Sequence, residues 1–90
     1  MTVTYEAERD ELVEAVRQLP PGTRFWFFGI NYIYEGVPIS VTNRQVRLAQ
    51  PHIVYETGPL TTGPLKDAQA LPEPFVVERH YVESWGRSKV

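Results

Sequence analysis

The run FWFFGINYIYEG, residues 25–36, sets six aromatic side chains in twelve positions, with Ile30 and Ile33 between them. In an extended chain successive side chains point to opposite faces. Trp26, Phe28, Ile30, Tyr32 and Tyr34 then fall on one side, and Phe25, Phe27 and Ile33 on the other. Both faces of such a strand are apolar, so both need cover. A chain of 90 residues makes one domain with one modest core. The cover must therefore come from a helix, from a loop or from a second copy.

Residues 5–19 read as a helix. Leu12, Val16 and Leu19 recur at helical spacing, Val13 and Ala15 flank them, acids crowd the first turns, and Thr4 is a candidate N-cap. Leu19-Pro20-Pro21-Gly22 stops it. The aromatic run follows as one long strand over residues 23–35, bulged or bent at Gly29. Glu35-Gly36-Val37-Pro38 supplies a turn. Val37, Ile39 and Val41 then alternate with Pro38, Ser40 and Thr42, and Pro38 belongs at an edge or a bulge. A tight turn at Asn43 leads to a strand with Val46 and Leu48. Pro51 interrupts that strand, and residues 52–56 resume it, so 23–56 hold the core strands. Residues 57–74 form a long loop with Thr-Gly-Pro-Leu written twice, at 57–60 and 62–65, and a short helical turn near Lys66. The last strand is 75–85, and the tail after it is basic and frayed.

The chemistry-bearing residues are sparse. Without cysteine there are no disulfides and no thiolate metal sites, which suits a reducing cytoplasm. No apolar leader opens the chain, and no apolar run is long enough to span a bilayer. Glu78 and His80 share a strand face, but His52 is distant in sequence, so a zinc site lacks ligands. Ser40 lacks an activating context, no glycine-rich phosphate loop occurs, and the helix acids make a solvated face. The expectation is a non-enzyme without cofactor. A net charge of −2 argues against an electrostatic nucleic-acid binder. Single-strand binding through Tyr32, Asn43 and Arg44 is the alternative, by stacking and phosphate contact.

One helix followed by about five short strands is a mainly β layout. It is that of a small SH3-type or Sm-like barrel with an N-terminal α-helix, one domain over 1–90. One helix face cannot hide all the remaining apolar surface. Trp26, Phe28, Tyr81 and Trp85 are therefore expected at an interface between copies, in a homo-oligomer that can close as a ring.

Tyr34-Glu35-Gly36, continuing through Val41, Asn43, Val46 and Leu48 to Ala49, resembles the Sm-like pattern. That resemblance implies base contacts at the Asn43 turn, although the Met-Asn pair of RNA-binding members is missing. Phe25 to Trp85 also resembles short uncharacterised proteins of tailed bacteriophages and prophages. It does so in Tyr34 to Gly36, Val46 to Leu48, Ile53-Val54, Thr57-Gly58 and Glu73-Pro74-Phe75. This resemblance implies a phage genome context and no established activity; the expected role is assembly or interaction, with the same chain or other phage proteins as partners, in a bacterial cytoplasm or a virion.

Overall fold

Asp10 starts the described part of the chain, which covers residues 10–89 of a computed structural model. The helix, α1 (Glu11–Gln18), is capped by Asp10, whose Oδ1 accepts from the amides of Leu12 at 3.0 Å and Val13 at 3.2 Å. The expected helix start at residue 5 and the Thr4 cap lie outside the described residues. Six strands follow: β1 (Phe25–Gly29), β2 (Ile33–Val41), β3 (Gln45–Glu56), β4 (Asp67–Ala70), β5 (Phe75–Glu78) and β6 (Val82–Arg87). A 3-10 turn, Arg79–Tyr81, joins the last two. The fold is mainly β with an N-terminal helix, as expected.

All ladders are antiparallel, in the order β4-β3-β2-β1-β6, with β5 also on β3. On its edge away from β2, β3 serves two neighbours: residues 45–48 face β5 and residues 52–56 face β4. Between the halves Gln50 takes a positive φ of 49°. A left-handed residue bends a strand sharply. Here it is held by Glu73, whose carboxylate accepts from the Gln50 amide, and by Arg24, which donates to the Gln50 carbonyl at 2.7 Å. Only the short 3-10 turn separates β5 from β6, so the β5 branch and β6 are brought near each other and the sheet curls. Among the described residues no β5–β6 ladder seals it.

Several local expectations are corrected. The aromatic run is a hairpin, because the Gly29 amide bonds the Tyr32 carbonyl at 2.9 Å and turns the chain between β1 and β2. Glu35-Gly36-Val37-Pro38 is no turn; it lies inside β2, where two register shifts against β3 absorb the irregularity. Asp67–Ala70 is a strand, since a ladder to β3 outweighs the helical preference of Ala, Lys and Gln. The final strand breaks at residues 79–81. The tail is tied down: Ser88 is buried, and Lys89 Nζ donates to the carbonyls of Thr57, at 2.5 Å, and Pro59.

Directly paired residues point the same way, which settles what covers the aromatics. Trp85, Phe27, Tyr34 and Ile53 form one row across the sheet. With Phe25 this face meets Leu12, Val46, Leu48 and Val77 in the main core, and Ala15, Val16 and Leu19 pack against it. Gly86, Trp26, Glu35, His52 and Ala70 form a row on the opposite face. The 57–66 loop and the tail lie on that side: Leu65 and Lys66 share a cleft with Glu35 and His52, and Ser88 bonds Glu35. Trp26 is left only 4 % exposed.

Candidate functional site

Two groupings of side chains carry chemical potential. The first is polar and buried. Glu35 is fully buried in the middle of the sheet. Arg24 Nε donates to both its carboxylate oxygens, at 2.8 and 2.9 Å, and Ser88 Oγ donates to Oε2 at 3.1 Å. The same guanidinium reaches Gln50 Oε1 at 3.0 Å and His52 Nδ1 at 3.1 Å. A guanidinium has no lone pair to offer, so in this contact Nδ1 can only accept. With its oxygens occupied and no solvent access, Glu35 is placed to clamp β1, β2, β3 and the tail together rather than to exchange protons with a substrate.

The second grouping is a groove of about 350 Å³ between the Gly29–Tyr32 turn and the 3-10 turn. Gly29 allows the two turns to meet: a Cβ there would sit 3.0 Å from the Tyr81 carbonyl oxygen. Tyr34 and Phe75, with ring centroids 5.2 Å apart, form part of its wall. Burial, and then neighbouring Tyr32, push the Tyr34 hydroxyl above its ordinary range. Ile30, Tyr32 and Tyr81 line the same groove and are 67, 53 and 57 % exposed. Glu78 is the one charged residue among the described lining residues, and its carboxylate accepts from Gln45 Nε2 at 3.2 Å.

The four residues expected at an interface do not share a surface. Trp26 and Phe28 pack together at a tilt on one face of the sheet, with centroids 6.0 Å apart, while Trp85 packs on Phe25 on the other. Trp26 has almost no area left for a partner to bury. Of the four, Tyr81 alone is exposed, and it stands on the 3-10 turn rather than on a strand. The nucleic-acid set is divided too. Tyr32 precedes β2, whereas Asn43 and Arg44 are exposed in the turn after it. Glu78 and His80 gain no third ligand: among the described residues no group of three or more histidine, aspartate or glutamate side chains is disposed to hold a metal.

Ile30 and Phe75 join the groove although the sequence did not single them out as site residues, and Glu78 joins it although the sequence offered it only beside His80 for a metal. The available signal was Gly29 and Asn31 flanking Ile30, a turn signature that leaves an apolar side chain at an exposed tip. Nothing local announced the Arg24–Glu35–His52 cluster, whose members come from the residue before β1, from β2 and from β3. No helix among the described residues is long and apolar enough to cross a membrane. No protein-family model, curated protein or solved structure matches the chain.

Proposed function

We propose that this chain is a non-enzymatic interaction domain that holds a partner polypeptide in the groove between the Gly29–Tyr32 turn and the 3-10 turn. The observation that carries the reading is the gathering of Ile30, Tyr32 and Tyr81, each more than half exposed, around one concave surface. Contiguous exposed apolar surface marks interaction sites, and tyrosines supply rigid contact area with a polar tip. A photo-crosslinking amino acid at position 81 tests it in cells that express the chain naturally. The expected product is a discrete protein adduct that is absent when the crosslinker stands at Ile39, which is 60 % exposed and outside the groove. Adducts only to nucleic acid, or the same adduct from both positions, would count against it.

A second reading, assembly of copies of the chain, is favoured by the outer edges of β5 and β6, which pair with no further strand among the described residues. Copies joined edge to edge would form a ring or a chain of subunits, and the resemblance to tailed-phage proteins supplies the setting, phage assembly. Light scattering reads it directly: a mass several times that of one chain supports it, and one chain mass at tens of micromolar removes it.

A further inference from the structure

Resting on the reading of the groove as a polypeptide site, we infer that its ligand is an extended segment added to the sheet as a strand along β5. The segment alternates apolar and polar residues and places a lysine or arginine opposite Glu78.

The argument begins with the phase of the β3–β5 ladder. The Arg79 amide donates to the Arg44 carbonyl at 2.7 Å, which makes 44 and 79 a hydrogen-bonded pair. In an antiparallel ladder, bonded and non-bonded pairs alternate. The pairs Val46↔Val77 and Leu48↔Phe75 are therefore bonded, and Gln45↔Glu78 and Arg47↔Val76 are not. It follows that Val76 and Glu78 turn their N–H and C=O groups away from β3. Both residues line the groove. Among the described residues β5 pairs with β3 alone, so a row of main-chain donors and acceptors borders an apolar trough. Strand addition needs this combination: the main chain supplies affinity and alternate side chains find pockets.

The side chains around the groove narrow the ligand. Its walls are aromatic and aliphatic, which suits alternate valine, leucine or phenylalanine. Glu78 is the one charged residue among the described lining, and a residue directly opposite it on an added strand would share its face, which suits a cation and disfavours a phosphate backbone. The four residues of β5 span about 13 Å at roughly 3.3 Å per residue, so a short segment suffices.

The test is an NMR titration of the isotope-labelled chain with three acetylated heptapeptides. Each alternates threonine with valine, leucine or phenylalanine and carries one central lysine. Shifts of the Val76 and Glu78 amides, accompanied by the Tyr32 and Tyr81 rings, are expected with at least one peptide. N-methylation of alternate peptide bonds should weaken binding about tenfold, the loss of one or two net hydrogen bonds. Glu78→Lys should transfer preference to a peptide carrying glutamate in place of lysine.

An N-methylated peptide that binds equally well would overturn strand addition while leaving the groove as a polypeptide site. Absence of any ring shift at millimolar peptide would overturn both readings. The same amide shifts produced merely by concentrating the protein would assign the edge to a second copy and overturn the ligand inferred here. An oligouridine probe that moves the rings where the peptides do not would overturn it in favour of nucleic acid.

Discussion

Glu35 and Asp10 each meet an arginine, in settings that make opposite demands. Glu35 has no solvent exposure, and Arg24 is largely covered. Removing one member of a buried pair leaves the other charged and unmatched. Arg24→Ala should therefore cost about 3–5 kcal/mol, read as a fall in the urea midpoint. Replacing both by apolar residues of similar size should recover most of the loss; a double variant no better than the single would show that the pair itself is indispensable. Asp10 caps α1 while Arg79 holds its carboxylate at 2.8 and 3.0 Å. The Arg79 hydrogen bond is the largest influence on its pKa and, against some desolvation, keeps it below the ordinary 3.8. A carboxyl lowered in the folded state contributes stability that is present above its unfolded pKa and lost as pH falls through the folded one. Asp10→Asn retains a capping side chain and discards the charge. The wild type should be the more stable at neutral pH, and the two unfolding curves should converge as pH drops below about 3.8. A gap that persists unchanged into acid would locate the stabilisation elsewhere.

At the scale of elements, the 57–66 loop and the tail act as one cover. Lys89 bonds two loop carbonyls, and Ser88 reaches Glu35 beneath them. Ending the chain after Arg87 should loosen the loop and speed tryptic cleavage at exposed Lys66 several-fold, while the rest of the domain stays resistant. Equal cleavage rates would mean the loop holds itself. Gly36 is a tighter constraint: a Cβ there would meet the Ala49 carbonyl oxygen at 3.1 Å and Pro51 Cα at 3.3 Å, both main chain. Gly36→Ala should cost about 1–3 kcal/mol.

Much of this arrangement was legible in the sequence. The apolar stripe of Leu12, Val16 and Leu19, the Asn43 turn and the alternation at Val46 and Leu48 each encode their element locally. The Gly29–Tyr32 turn was misread because apolar residues continue on both sides of it, so the period of two runs unbroken through the reversal. β4 and the fastened tail depend on partners far along the chain, and composition says nothing of those. The groove was only partly visible: its tyrosines stood out, but its shape arises where the β5 branch and β6 come near each other.

In the molecule as a whole, β1 lies between β2 and β6 and so fastens the C-terminal strand next to the first one. Such ladders form together or not at all. Trp26 and Trp85 sit on opposite faces of this arrangement, which makes them independent reporters. Variants retaining a single tryptophan, Trp26→Phe and Trp85→Phe, should each show coincident fluorescence and circular dichroism transitions in urea; separate midpoints for the two probes would divide the domain into parts. Tyr81→Ser, by contrast, should change stability by no more than about 0.5 kcal/mol, since the ring is mostly in water.

The kink at Gln50 has a mechanical corollary. On the edge of β3 away from β2 the kink works like the joint of a folded ruler: the near arm supports the groove through β5, and the far arm carries β4 and the loop cover. Because Ile53 on the far arm also pairs with Tyr34 of the groove wall, opening the joint would misalign both walls at once, whereas residues grafted beyond Glu56, in the loop, leave them in place.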